Sequence, residues 1–339
     1  MEVLIVKIGA IGDAVMALGA VHWLRASDPK VRITWLAGKK IVPLLKTAGG
    51  IDRIVSVDEG ALFCSSRLDS LKALLNVWCT LFGKKFDLVV LGHADWRYRL
   101  LTLSVLSQET RMFARKNGRL FPVPGRYHGD EYLRLVSGKE DWTMPPFLFP
   151  PTEVPGLSPF LDKSLGHKQE NSRILLVPGG AKNVLADDRL RRWPIQSYVA
   201  LAKALAAKGY KVILAGSETD LWVREWFRDV DVVDSIGTTD LSDLIAMISR
   251  VDVVVSHDSG PLHLAILLQK RVVALFGPTN PNEKIPRQES NPAYVLWQGK
   301  VLPCVPCYDG KGFARCERNV CMEMISVPDV EEAILRLLS

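Results

Sequence analysis

Two patterns of hydrophobic and polar positions alternate along the chain. Short runs that are apolar nearly throughout, "EVLIVKI" at 2–8, "VRITWLA" at 31–37, "IDRIVSV" at 51–57 and "FDLVVLG" at 86–92, predict strands. Between them, "DAVMALGAVHWLRAS" (13–27) and "SLKALLNVWCTLFG" (70–83) place apolar residues at helical spacing. Strands apolar on both faces, separated by amphipathic helices, indicate a parallel sheet covered on both sides. The pattern stops over 143–168, where "TMPPFLFPPTEVPG" is rich in proline and lacks a period. Proline opposes both helix and central strand, so a linker is expected there.

The alternation restarts with the strand and glycine turn "SRILLVPGG" (172–180), the helix "PIQSYVALAKALAAKG" (194–209) and the strand "YKVILAGS" (210–217). It continues through "DLSDLIAMISR" (240–250), a helix that Asp240 is placed to cap, and the strand "VDVVVSHDSG" (251–260). The helix "PLHLAILLQ" (261–269) and the strand "RVVALFGPT" (271–279) follow. Two doubly wound α/β domains are therefore expected, at 1–160 and 161–339, with ligand-bearing loops at the strand carboxyl ends.

Composition changes this picture little: 48% apolar and 24% charged residues suit a globular chain. Apolar stretches fall short of a bilayer span, and Met1 leads directly into a strand, so a cytosolic protein with at most a surface attachment to membrane is expected. Charge adds more. Residues 1–150 carry 21 Lys/Arg against 14 Asp/Glu, whereas the remainder carries 22 against 23. Nine basic residues fall between Lys84 and Arg126, among them Arg97, Arg99 and Arg119, against three acidic ones. As a group they suggest that the first half meets something anionic; singly, each is as well read as a solvated surface residue.

Four stretches could carry chemistry. In "KIGAIGD" a glycine-punctuated turn (Gly9, Gly12) precedes Asp13, which is equally well read as a helix cap or as a base. The turn lacks the G-x-G-x-x-G spacing, and Gly38, Lys39 and Lys40 stand where a dinucleotide fold places an acidic residue, which argues against a nicotinamide or flavin. In "SHDSGPLHLA", Asp258, Ser259 and Gly260 turn from a strand into a helix beginning near Pro261, with His263 one turn in. Free N–H groups at such a helix start favour phosphate. In "VPGGAKNVLADDRLRRWP", Gly179-Gly180 leads into a polar loop carrying Lys182, Arg191 and Arg192, cations suited to a diphosphate leaving group. Finally, Cys304, Cys307, Cys316 and Cys321 follow C-x2-C-x8-C-x4-C. That spacing has the compactness of a structural zinc site, and it equally suits reduced thiols packed around an irregular segment.

"KIGAIGDAVMALGAV", "PGGAKN…RRWP", "SHDSGPLHLA", "ALFGPTNP" and "PCVPCYD…C…CM", in this order over nearly the whole length, resemble glycosyltransferase family 9, the heptosyltransferases of lipopolysaccharide core assembly. The resemblance implies a GT-B fold, two Rossmann-like domains facing across a cleft, with acceptor on the first and nucleotide-sugar donor on the second. It implies an inverting, metal-independent transfer, here of heptose from ADP-L-glycero-D-manno-heptose onto the lipopolysaccharide inner core. Asp13 takes the place of the general base, and Asp258, Ser259, Gly260 and His263 match the donor motif D-[ST]-G-x-x-H. The basic residue before the family's W-P pair falls on Arg191 or Arg192, with Lys182 on the same loop, and Glu218 is where a ribose-binding carboxylate is expected. Gly12, Arg97, Arg99 and Arg119 are the acceptor candidates. No cofactor is required, and the partner is an anionic lipid A-core acceptor met peripherally at the inner face of the inner membrane.

Three rivals remain. The loop "AKNVLADDRLRR" is longer than the short form of enterobacterial members, so another nucleotide sugar stays open. A nucleotide-sugar oxidoreductase or epimerase would need the nicotinamide fingerprint that is missing here. A nucleic-acid-binding protein is disfavoured, because aromatic residues do not interleave with the basic ones.

Overall fold

The structure, a computed structural model, describes residues 1–63, 66–113, 123–139, 154–156, 158–159, 162, 171–182, 187–287, 293–309 and 312–339. The described residues form two compact units, one within 1–147 and one within 148–339. The division at 147/148 lies inside the proline-rich stretch.

In the first unit β1 (Glu2–Val6), α1 (Ile11–Ser27), β2 (Arg32–Gly38), α2 (Val42–Ala48) and β3 (Arg53–Val57) build one half of a sheet. α3 (Glu59–Phe63), α4 (Arg67–Leu81), β4 (Lys85–Leu91), α5 (Arg97–Leu100), β5 (Leu106–Met112) and α6 (His128–Ser137) complete the unit. The order is β3-β2-β1-β4-β5, with every pair parallel. Leu4, Val6, Leu36, Val89 and Leu91 pack against Val77 and Leu81 of α4 to form a core cluster.

The second unit runs β6 (Arg173–Val177), α7 (Ile195–Ala207), β7 (Lys211–Leu214), a 3-10 helix (Glu218–Phe227), β8 (Val233–Asp234), α8 (Leu241–Arg250) and β9 (Val253–His257). α9 (Gly260–Leu267), β10 (Arg271–Phe276), α10 (Pro281–Lys284), β11 (Ala293–Trp297), α11 (Val320–Glu323) and α12 (Val327–Leu338) follow. Its parallel sheet has the order β11-β10-β9-β6-β7-β8. β6 and β9, at its centre, are buried at every position, as their unbroken apolar runs require.

In both sheets the strand order reverses beside the first strand, between β1 and β4 and between β6 and β9. Loops at the carboxyl ends of strands flanking such a switch point are where doubly wound sheets bind ligands. "KIGAIGD" leaves β1, "PGGAK" leaves β6 and "HDSGP" leaves β9, so three of the four candidate stretches lie at switch points.

Asp240 caps α8 as its sequence suggests, its side chain accepting from the Asp243 amide at 2.8 Å. Sequence reading passed over β5, β8 and β11. β5, "LSQETRM", is an edge strand exposed along most of its length, β8 has two residues, and β11 is an edge strand only half-buried. No described helix is long and apolar enough to cross a membrane.

One backbone turn is specified by what crosses it. Gly179 passes so close to buried Asp220 that a Cβ would lie 2.5 Å from its carboxyl carbon and 2.6 Å from its Cβ. Asp220 cannot yield, because its carboxylate accepts the Gly180 and Ser217 amides, both at 2.8 Å, tying the β6 turn to the β7 turn. Gly179→Ala is expected to lower unfolding free energy by about 1–3 kcal/mol in urea titration; an unchanged midpoint would contradict this packing.

Candidate active site

At the carboxyl end of β1, one charged residue interrupts an apolar run. Lys7 is 1% exposed, and its Nζ donates to Asp13 Oδ2 at 2.7 Å. Burial alone would push the ammonium down. The Asp13 charge, the nearby Tyr132 and Tyr98, and the hydrogen bond from Lys7 outweigh it and hold Lys7 above the usual lysine range. The ammonium also lies 5.9 Å from the Tyr132 ring centroid. Asp13 is not the N-cap of α1: Ala10 occupies that position, and Asp13 is the third helical residue. Its side chain is 37% exposed, so the carboxylate is fixed on one side and reachable on the other.

Beside this turn, Gly38 at the end of β2 makes room for a carboxyl that sequence reading missed. A Cβ on Gly38 would fall 1.8 Å from Glu59 Oε1, and one on Gly9 would lie 3.5 Å from it. Glu59, the first residue of α3, presents its buried Oε1 there without a hydrogen-bond partner, and burial raises its pKa. Lys7, Glu59, Tyr98 and Tyr132 were all overlooked. Lys7 alone left a trace in the sequence, a cation ending an otherwise apolar strand.

The acceptor candidates are less concentrated. Gly12 is buried in the first turn of α1. Arg97 clasps Asp95 at 2.7 Å and lies 4.9 Å over the Phe63 ring; exposed Arg99 donates to Met112 Sδ at 3.3 Å. Arg119 lies outside the described residues.

In the second unit the donor candidates converge on Asp258. This carboxylate is 2% exposed just before α9, with His263 Nε2 3.5 Å from Oδ1 and the Arg191 guanidinium 3.4 Å from Oδ2. Burial alone would raise its pKa. The His263 hydrogen bond and the charges of Arg191 and Lys284 reverse that and hold it well below the usual carboxylate range. Arg191 also pairs with Asp188 at 3.2 Å and lies 5.1 Å over the Tyr308 ring. Ser259 is the N-cap of α9 and makes no side-chain cap bond; its Oγ lies 3.0 Å from Ser256 Oγ. Gly260 begins the helix and Pro261 follows in its first turn. Lys284, buried in α10, was not foreseen.

The two arginines before Trp193 point to different partners. Arg192 is spent on the loop itself, donating to Gly180 O at 2.9 Å and Asp187 Oδ1 at 2.5 Å. Arg191 is the one turned to Asp258. Trp193 anchors the segment by donating to Ile325 O at 2.9 Å from within the core. Lys182 is exposed and bridges to Asp187 through backbone. Glu218 is exposed where the 3-10 helix starts after β7.

The tail cysteines do not form the zinc arrangement considered from their spacing. Among the described residues no group of three or more His, Cys, Asp or Glu is gathered as a metal ion requires. All four are free thiols; Cys304 and Cys316 are exposed, and the Cys316 thiol is directed at Arg318 O, 2.9 Å away. Cys321 is buried behind Gly277, where desolvation pushes its thiol up to about 11.

The family model described as glycosyltransferase family 9 (heptosyltransferase) matches residues 162–308. The chain is 24% identical over 314 residues to the lipopolysaccharide core heptosyltransferase OpsX of Haemophilus influenzae, covering 83% of this chain and 80% of that one. A glycosyl transferase family 9 structure from Veillonella parvula superposes with TM-score 0.76 at 22% identity, over 99% of this chain and 97% of that one. The E. coli ADP-heptose lps heptosyltransferase II structure does so with TM-score 0.72 at 19% identity, over 100% and 98%. Two parallel doubly wound sheets, each with a polar cluster at its switch point, thus give the chain the GT-B fold of these structures. The chain carries a glycosyltransferase family 9 domain over residues 162–308, and its similarity to a lipopolysaccharide core heptosyltransferase spans 83% of its length.

His257, next to Asp258, supplies a test of this packing. It is fully buried with Nδ1 3.2 Å from Tyr198 Oη, and burial, then the Arg192 charge, lower its pKa to about 3. An unfolded histidine titrates near 6.5, so below that pH only the unfolded chain takes this proton. Its share of stability is complete above pH about 6.5 and falls by up to about 1.4 kcal/mol per pH unit below it. His257→Asn is expected to show a flatter loss of stability than wild type between pH 7.5 and 5 in urea titrations; parallel curves would contradict a buried neutral imidazole.

Proposed function

We propose that this chain transfers a heptose, with inversion, from ADP-L-glycero-D-manno-heptose to a hydroxyl of the lipopolysaccharide inner core. The observation that carries the reading is the half-exposed Asp13 carboxylate held on buried Lys7 at the switch point of the first sheet. An acceptor hydroxyl is a poor nucleophile at neutral pH, and a carboxylate placed to take its proton lowers the barrier. In this reading the acceptor O–H proton passes to an Asp13 oxygen as the acceptor oxygen bonds to the anomeric carbon. The bond from that carbon to the diphosphate oxygen breaks in the same displacement, so the anomeric configuration inverts.

The departing diphosphate gains negative charge, and the second unit has cations to receive it. Arg191 and Lys284, set around Asp258, and the free amides at the start of α9 supply that charge at one strand end. His263 and Asp258 hold the cluster in register. Glu218, exposed beyond β7, is assigned to the donor ribose, and Lys182 and Arg192 to the rim of the same loops. Arg97 and Arg99, with Gly12 behind Asp13, are assigned to the anionic acceptor. The transfer as read draws on protein charges and hydrogen bonds, without a metal, at the inner face of the inner membrane. Heptosyltransferases of lipopolysaccharide named among the relatives support both substrates. A different nucleotide sugar on the same machinery is the second reading, favoured by the long loop after Gly180.

Calorimetric titration with ADP, UDP, GDP and ADP-heptose decides between them. Preference for ADP and ADP-heptose is expected; preference for UDP or GDP would keep the machinery and discard heptose. Asp13→Asn should lower turnover by about 10²-fold or more with ADP affinity unchanged, and Arg191→Ala should weaken ADP instead. Near-full turnover in the Asp13 variant would remove the base.

A further inference from the structure

α4 is apolar on two faces, and the core accounts for one of them. Val77 and Leu81 point into the first unit, with Ala73 and Leu74 packed beside them. On the opposite side Leu68, Leu71 and Leu75 are 70%, 49% and 44% exposed, and Phe82, just beyond the helix, is 80% exposed. Offsets of three, four and seven residues place all four along one outward stripe. The chain turns at Gly83, whose amide donates to Ser104 O, and Leu106 pairs with Lys84 through backbone. That turn brings Leu103 and Leu106, 64% and 58% exposed, to the Phe82 end of the stripe.

Most of the described charges beside the stripe are basic. Arg67, Lys72, Lys84 and Lys85 are all exposed, against one carboxylate, Asp69, which is taken up by Ser66 at the helix start. A second copy of the chain laid on this face would bring basic rims together, whereas an anionic lipid surface complements both the apolar stripe and its lysines. A helix combining apolar side chains on one outward face with flanking cations is the form that lies in a membrane interface.

We propose that the outward face of α4, with the turn at Phe82–Lys85, is a docking surface for a membrane containing anionic lipids. The inference deepens the functional reading, which already requires a lipid-linked acceptor, by assigning the contact to a surface outside the Lys7–Asp13 site. Leucines and Phe82 enter the headgroup–acyl boundary, while Lys72, Lys84 and Lys85 meet lipid phosphates.

The test is co-sedimentation of the full chain with vesicles of phosphatidylcholine alone or with phosphatidylglycerol mixed in. Wild type is expected to bind the anionic vesicles far more tightly than the neutral ones. Lys84→Glu with Lys85→Glu should weaken that binding by at least tenfold, since each cation near an anionic surface is worth about fivefold. Leu71→Ser with Leu75→Ser and Phe82→Ser should weaken it at least as much. Both variants should keep wild-type ADP affinity and wild-type transfer to an acceptor stripped of its acyl chains. Absent vesicle binding by wild type, or equal binding by wild type and both variants, would overturn the docking surface. A loss of self-association in the variants without loss of vesicle binding would overturn it too, in favour of a contact between copies. If wild type binds vesicles but transfers nothing to the deacylated acceptor, the functional reading fails and the docking surface stands.

Discussion

A charge removed from water must be given a counter-charge, and much of the architecture around the candidate site follows from that requirement. Lys7 ends a strand that is buried on both sides, so its ammonium has to be met within the fold. The first turn of α1 brings Asp13 to it at 2.7 Å, which fixes where the helix begins relative to the sheet. Gly38 carries no side chain that would keep Glu59 out of the same corner. Removing Lys7 would release Asp13 from its orientation, whereas removing Asp13 would strand a buried cation. The pair therefore binds strand, helix and the Asp13 carboxylate into one unit.

The second unit solves the same problem with the signs exchanged. Here the buried group is an anion, Asp258, and its partners come from three separate elements: the cations Arg191 before α7 and Lys284 in α10, and the imidazole of His263 in α9. Asp220 is a buried carboxylate met by backbone amides instead, which is why it organises two turns without gathering charge. Asp258 thus gathers two side-chain cations at one strand end, while a carboxylate satisfied by amides gathers none.

The sheets and their helices were legible because buried parallel strands must be continuously apolar, as in "ILLV" and "VVVSH". Edge strands escape that requirement, so β5 and β11 carried no such signal. The switch-point loops were legible through Gly, Asp and Ser at strand ends, and the motif order pointed to the family. Long-range partners were not. Nothing local marks Glu59 as the neighbour of Gly38, or Lys284 as a neighbour of Asp258, since each contact depends on how distant elements pack. The choice between Arg191 and Arg192 was likewise invisible until the turn at Gly180 claimed one of them. Cysteine spacing promised more than the tail delivers, because Cys304 and Cys316 are exposed while Cys321 is buried, and the described residues gather no set of three or more ligating side chains.

On the functional reading proposed above, the nucleotide binds at the switch point of the second sheet and not at that of the first. Hydrogen–deuterium exchange of the full chain with and without ADP tests it directly. Slowed exchange is expected at the amides of 256–264 and 179–181, with 7–14 unchanged. Protection confined to 7–14, leaving the Asp258 loop as it was, would contradict it.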